Sequence, residues 1–308
     1  SLVGSEMCIR DRLKIVEGTG APVIPVWLDG LWGSIFSYRD GRFFTKWPRK
    51  WPYPVGVLFG KPLSEPDNVH QVRQAVEQLG VQAMDYRKPR ELVLPRLFLR
   101  KCRQGMRRRK LADSSGQELS AGETLLRSLI IKRHLENRVL AADERFVGVL
   151  LPPSVAGALV NVALPLAKRV PVNLNYTVAS EVIQSCITQC GIKHVITSKL
   201  FMSRLKLELN CEVVYLEDLP SQLTKVDKAI AAVQAYATPI FVLERLLGLT
   251  SVKPDDLATV IFTSGSTGEP KGVQLSYHNI GSNIEAMDTL FQLTPQDAFM
   301  GVLPFFHS

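Results

Sequence analysis

Apolar and polar positions along this chain follow two periods, and the stretch between Arg145 and Lys168 contains both. "FVGVLLPPSVAGALVNVALPLA" carries no charge and is long enough to cross a bilayer. The Pro152-Pro153 pair divides it into a strand-length run, "FVGVLL", and a helix-length run, "SVAGALVNVALPLA", with the apolar "VPVNL" following. Asn161 and Pro165 sit badly in lipid, so the pattern predicts a buried strand–helix–strand unit rather than a span. Downstream, "SEVIQSCITQCGIKHVITS" reads as a helix ending at Gly191 and a strand "HVIT"; "KLFMSRLK" then reads as a short helix and "CEVVYL" as another strand. Upstream, "ADSSGQELSAGETLLRSLIIKRHLE" gives a turn at Ser114-Ser115-Gly116, a short strand and a long amphipathic helix. Strands alternating with helices predict an α/β fold, a mainly parallel sheet with helices on both faces.

The earlier part of the chain has a different texture. "APVIPVWLDGLWGSIFSY" predicts a buried strand and an aromatic, Gly-broken segment, and "WPYPVGVLFGKPL" a second strand ended by Gly60 and Pro62. "PDNVHQVRQAVEQLGVQAM" predicts a helix with Asp67 and Asn68 as cap candidates, and the charged break "DYRKPRE" marks a domain boundary near residues 89 and 90. Beyond it, "LPRLFLRKCRQGMRRRK" sets an apolar face against Arg100, Lys101, Arg103, Arg107, Arg108, Arg109 and Lys110. Two readings fit this stretch: a solvated helix of the second domain, or a helix from Leu94 to Lys110 lying on anionic lipid.

Composition adds little to the fold and something to the partners. The chain of 308 residues is 46% hydrophobic, enough for one or two ordinary cores. A formal charge of +8 favours an anionic partner. The basic residues lack interleaved aromatic stacking positions, which argues against nucleic acid. The five cysteines, Cys8, Cys102, Cys186, Cys190 and Cys211, are odd in number and scattered, so reduced thiols and no disulfide are expected. Cys186, Cys190 and His194 suggest zinc, but a helix ending at Gly191 need not bring His194 to the cysteines, and packing accounts for both thiols. No metal site is expected.

The densest candidate chemistry is "FTSGSTGEPKGV", directly behind the apolar run "LATVI". Glycines let backbone N–H groups approach an anion, hydroxyls donate to it, and a lysine adds mobile positive charge, so the stretch suggests polyphosphate binding. The order of its residues excludes a Walker P-loop, since Gly268 is followed by Glu269-Pro270 before Lys271. "VIFTSGSTGEPK" resembles, position by position, the phosphate loop of the adenylate-forming superfamily, the acyl-CoA synthetases and their relatives. "GVQLSYHNI", with His278 and Asn279, is similar to the strand and helix start that follow that loop, and "LPFFHS" resembles the family's acyl-pocket motif. The segment "GVLLPPSVAGALVNVALPLAKRVPVNLNYT" is similar to its opening β–α–β segment. "IVEGTGAPVIPVWLDGLWGSIFSY" with "VGVLFGKPL" resembles the end of a glycerolipid acyltransferase domain. In particular it is similar to the kind fused to an acyl-acyl carrier protein synthetase in bifunctional, lysophospholipid-recycling proteins of the 2-acylglycerophosphoethanolamine acyltransferase type.

The resemblance implies an organisation and a chemistry. Residues 1–12 are expected to be a foreign leader, 13–89 the C-terminal part of an acyltransferase domain, and 90–308 the first part of an AMP-binding domain. Thr263, Ser264, Gly265, Ser266, Thr267, Gly268 and Lys271 would bind the phosphates of ATP; Phe306 and His307 would belong to the acyl pocket. His278 reads as structural, near its helix start. The implied reaction joins a fatty acid to the phosphopantetheine thiol of acyl carrier protein or CoA, using ATP and Mg2+, on the cytoplasmic side of the inner membrane, with a lysophospholipid as the final acceptor in the fused protein. "EGTG" at Glu17–Gly20 imitates the acyltransferase E-G-T-R motif without its Arg. No His is followed five residues later by Asp: those positions after His70, His134, His194 and His278 hold Ala75, Val139, Lys199 and Asn283. The adenine, ribose, Mg2+ and catalytic-lysine motifs would fall beyond Ser308, so the chain by itself is expected to be inactive in both reactions. A rival from another class is a non-catalytic module docking on a membrane surface or carrier protein with an idle loop.

Overall fold

The computed structural model describes residues 16, 18–31, 34, 54–64, 68–88, 93–205, 207–264, 269–291, 293–294 and 296–307. The segment expected to be a leader lies outside them. The backbone forms two compact units, Ser1–Glu91 and Leu92–Ser308.

In the first unit, strands β1 (Val26–Asp29) and β2 (Gly56–Phe59) pair antiparallel, with Trp27 opposite Leu58. Helix α1 (Val69–Arg87) starts where Asn68 accepts a hydrogen bond from the Gln71 amide, 3.0 Å. It packs on the ribbon through Gly80, where an added Cβ would lie 3.1 Å from the Trp27 ring. Two expectations need correction. Helix α1 runs past Met84 into the charged stretch taken as the break. The β1 strand is not buried either: alternation turns Trp27 toward α1 and leaves Val26 and Leu28, 40% and 54% exposed, on the other face.

The second unit begins with α2 (Leu94–Gln104), then a hairpin of β3 (Arg109–Ala112) and β4 (Glu118–Ser120), and α3 (Ala121–His134). The expected basic helix to Lys110 is therefore too long. Gly105 ends it, and Arg109 and Lys110 lie on a strand paired with β4. Three of its arginines are also spent inside the protein. Arg96 and Arg100 hold the buried carboxylate of Glu244 at 2.6–3.0 Å, and Arg103 donates to the carbonyls of Tyr236 and Thr238. A capping box at Ser120 and Glu123 starts α3, satisfying amide donors that a helix cannot.

A six-stranded sheet follows: β5 (Phe146–Val149), α4 (Val155–Leu166), β6 (Val170–Asn173), α5 (Ser180–Cys190), β7 (His194–Thr197), α6 (Lys199–Leu205) and β8 (Glu212–Tyr215). Short helices α7 (Leu219–Gln222), α8 (Lys225–Tyr236) and α9 (Ile240–Leu246) lead to β9 (Leu257–Ser264), β10 (Pro270–Ser276) and α10 (Tyr277–Phe291). The strand order is β10-β9-β6-β5-β7-β8, parallel throughout except for the β9–β10 pair. The predicted β–α–β unit is β5–α4–β6, and Gly191 ends α5 in the left-handed conformation, φ 61°.

Both sheet faces are packed. Leu150, Val172, Ile183, Ile187 and Val195 form one buried cluster, and Leu135, Val147, Val160, Leu164 and Ile196 another. A third, of Leu99, Leu125, Leu129, Leu166, Leu243 and Leu249, joins the helices around α3. Each such side chain contributes roughly 1.5–3 kcal/mol by leaving water.

Asp113, in the β3–β4 turn, accepts hydrogen bonds from the Ser115 hydroxyl and from the Val155 amide at the start of α4, 2.9 Å. These bonds hold its carboxyl below the ordinary aspartate range. Asp113→Ala is therefore expected to cost about 1 kcal/mol, as loss of a helix cap does. An unchanged urea midpoint would contradict this role.

Candidate functional site

The register of the last three strands of the sheet positions the candidate loop. β6 ends at Asn173, which pairs with Ile261 of β9. Beyond that pair β9 continues as Phe262, Thr263 and Ser264, bonded only to Gly272, Lys271 and Pro270 of β10. At about 3.3 Å per residue, the hairpin projects about 10 Å past the carboxyl edge of its parallel neighbour. Ligands of open α/β sheets bind outside this edge.

Within the hairpin, Phe262 faces Gly272 and Thr263 faces Lys271. An added Cβ on Gly272 would lie 3.2 Å from both the Phe262 ring and Val260, so this glycine gives the ring its room. Directly opposed residues of an antiparallel pair share a face, which places Thr263 and exposed Lys271 together on the face opposite Phe262. Next to the loop, the Gln189 side chain at the end of α5 donates to the Pro270 carbonyl, 3.2 Å. Gly265, Ser266, Thr267 and Gly268, and the side chain of Ser264, lie outside the described residues.

The turn carrying Phe306 and His307 reaches the same carboxyl edge. Tyr176, three residues after β6, meets the Phe306 ring edge-on at 4.8 Å and the Phe201 ring of α6 edge-on at 4.9 Å. Phe306 is buried and His307 exposed, its amide donating to the Pro304 carbonyl at 3.0 Å. Phe305 lies against the first turn of α4, where an added Cβ on Gly157 would come 2.9 Å from its ring. Burial raises the Tyr176 hydroxyl above the usual tyrosine range. Neither Tyr176 nor Gly157 stood out in the sequence. The only signal was an aromatic directly behind the "NLN" that ends a buried strand.

Beside this edge, Asn161 of α4 and Asn173 of β6 exchange amide hydrogen bonds at 3.0 and 2.8 Å, which satisfies two polar side chains inside the sheet packing. At the opposite, amino edge, His194 is held by Glu144 at 2.9 Å through Nδ1 and by Glu212 at 3.1 Å through Nε2. Its ring nitrogens therefore face carboxylates, and Cys186 and Cys190 pack among apolar side chains, where burial pushes the Cys186 thiol up to about 11. His278 lies in the first turn of α10, its amide donating to Pro254, and Ser276 and Asn279 cap that helix reciprocally.

Residues 98–308 match the family model described as AMP-binding enzyme. The chain is 45% identical over 58 residues to "Long-chain-fatty-acid--CoA ligase 5" of Rattus norvegicus, covering 18% of this chain and 8% of the ligase. It is 32% identical over 90 residues to "Medium-chain-fatty-acid--[acyl-carrier-protein] ligase TtuA" of Teredinibacter turnerae, covering 29% and 13%. Among solved structures it resembles the o-succinylbenzoate CoA synthetase MenE of Bacillus subtilis in complex with its acyl-adenylate, OSB-AMP. That likeness has a TM-score of 0.53 at 19% identity and covers 68% of this chain and 50% of that one. The matched stretches thus span a small part of the curated relatives and half of the solved chain. The family match extends over the whole hairpin-bearing sheet, and the chain belongs to the AMP-binding enzyme family.

Proposed function

We propose that the Leu92–Ser308 unit serves ATP-dependent activation of a fatty acid. The carboxylate attacks the α-phosphorus of ATP, the bond to the bridging oxygen breaks, and pyrophosphate leaves an acyl-adenylate. A phosphopantetheine thiolate, on acyl carrier protein or CoA, then attacks the acyl carbon and AMP departs as the thioester forms. The chemistry asks the protein mainly for positioning and for neutralising charge on the leaving pyrophosphate.

The observation that carries this reading is the hairpin at the carboxyl edge of the sheet, with Lys271 in register with Thr263 at its stem. Lys271 would supply charge to the β- and γ-phosphates. Thr263, Ser264, Ser266 and Thr267 would donate hydrogen bonds, and Gly265 and Gly268 would let the backbone approach. Phe306, seated on Tyr176, would wall the acyl chain, and His307 would stand at its mouth. Magnesium would accompany the nucleotide. Among the described residues no cluster of three or more His, Cys, Asp or Glu side chains could hold a metal ion, so none is assigned to it. In the wider reading, residues 13–89 are the C-terminal part of an acyltransferase domain whose full-length parent would pass the acyl group to a lysophospholipid, at the cytoplasmic face of the inner membrane, as a peripheral protein. Among the described residues no helix is long and apolar enough to cross a membrane.

Calorimetric titration with ATP, pyrophosphate and sulfate tests the proposal. An adenylation site binds ATP and pyrophosphate in preference to sulfate at equal ionic strength. An idle loop on a docking module would show no such preference.

A further inference from the structure

Helices α8 and α9 carry apolar side chains on the faces they turn to solvent. On α8 the buried positions are Asp227, Ala231 and Ala235. The opposite face centres on Val233, 58% exposed, with Val226 at 62% two turns earlier and Tyr236 at 50% one turn later. Helix α9 continues the pattern with Phe241, 70% exposed, and Leu246, 64%. A surface helix of a water-soluble domain normally shows charged and polar groups there.

The exposed charge carried by these two helices has one sign. Between Lys225 and Leu246 the only acids are Asp227 and Glu244, and both are buried and held by arginines. Asp227 accepts from Arg133 at 2.8 Å and Arg138 at 3.4 Å, and Glu244 is clasped by Arg96 and Arg100. The bases Lys225, Lys228 and Arg245 are exposed, so no carboxylate of either helix reaches solvent to offset them.

We infer that the outer faces of α8 and α9 form a docking surface for an anionic lipid bilayer. Exposed aliphatic and aromatic side chains rimmed by lysine and arginine match an interface that takes apolar groups below its headgroups and holds cations at them. The surface is distinct from the basic stretch from Leu94 to Lys110, where Arg96, Arg100 and Arg103 are engaged internally. It does not rest on the ligase reading: vesicle binding without ATP binding would keep this inference and overturn that one.

Flotation of the purified chain with phosphatidylglycerol-rich and pure phosphatidylcholine vesicles tests it. Binding is expected to the anionic vesicles and to fall as salt rises. Lys225→Glu and Lys228→Glu should each lower partitioning about fivefold or more. Phe241→Asp should abolish it, while Phe241→Leu retains it; unchanged circular dichroism and melting show that each variant is folded. Equal binding to neutral and anionic vesicles, or full binding by folded Phe241→Asp, would overturn the assignment. So would capture of an acidic carrier protein, blocked by the same substitutions, without any partition into vesicles.

Discussion

Replacing Glu244 with Ala is expected to destabilise the Leu92–Ser308 unit by roughly 3–5 kcal/mol, the cost of removing one partner from a buried ion pair. The carboxylate is 2% exposed, and its two oxygens take four hydrogen bonds from Arg96 and Arg100. Without it, two guanidinium groups one helical turn apart repel each other beside the α2–α9 contact, with Arg96 itself three-quarters buried. Glu244→Gln keeps the shape but not the charge and should recover only part of the loss. Chemical denaturation followed by circular dichroism measures both. A loss below about 1 kcal/mol for Glu244→Ala would place this cluster with ordinary surface pairs.

The same cluster sets a direction for pH dependence. Burial pushes the Glu244 carboxyl upward, but the bonds and charge of Arg100 and Arg96 outweigh it and hold the group below the usual glutamate range. Asp227 is lowered too, first by the Thr224 hydroxyl and then by Arg133. Because both folded values lie below those of the unfolded chain, the unfolded chain takes up protons first as pH falls. The stabilisation is thus fully present above about pH 5 and is lost progressively below about pH 4, as pH falls toward the folded values.

Lys271→Ala is expected to weaken binding of pyrophosphate and of ATP by about ten- to a hundredfold, equivalent to about 1.5–3 kcal/mol for a charged contact. The side chain is exposed on an edge strand, so its removal should leave the fold intact and the loss should appear in affinity alone. Lys271→Arg keeps the charge and should retain part of the affinity. Titration of the two variants beside the parent chain separates these outcomes, and unchanged pyrophosphate affinity in Lys271→Ala would remove this residue from the site.

The parallel sheet was legible because its signals are local. Pro152-Pro153 separates β5 from α4, and Gly191 closes α5. The candidate loop stood out by the order of its residues, which no local fold requires, and its binding of phosphate is part of the proposed function. What escaped depends on contacts far apart in sequence. Glu244 in "LERLLG" looks like a solvated helix position, and only the packing of α2 on α9, 144 to 148 residues apart, turns it into a buried anion. The run "RRRK" hid the alternation of β3, since four charged side chains carry no inward or outward preference to read. Tyr176 gained its place only when the chain brought Phe306 and Phe201 to either side of it. The register of Lys271 with Thr263 is likewise a property of the pairing, one residue of slip away from facing the other side.

Whether the β9–β10 hairpin holds the phosphates of ATP is open to direct measurement. Hydrogen–deuterium exchange of the amides from Leu257 to Ser276, measured with ATP, with pyrophosphate and with sulfate at equal ionic strength, tests it most directly. Slowed exchange from Thr263 to Gly272 is expected with ATP and pyrophosphate, with little change in sulfate and loss of the effect in Lys271→Ala. Exchange in this segment that ATP leaves unchanged, or that sulfate slows equally, would contradict it.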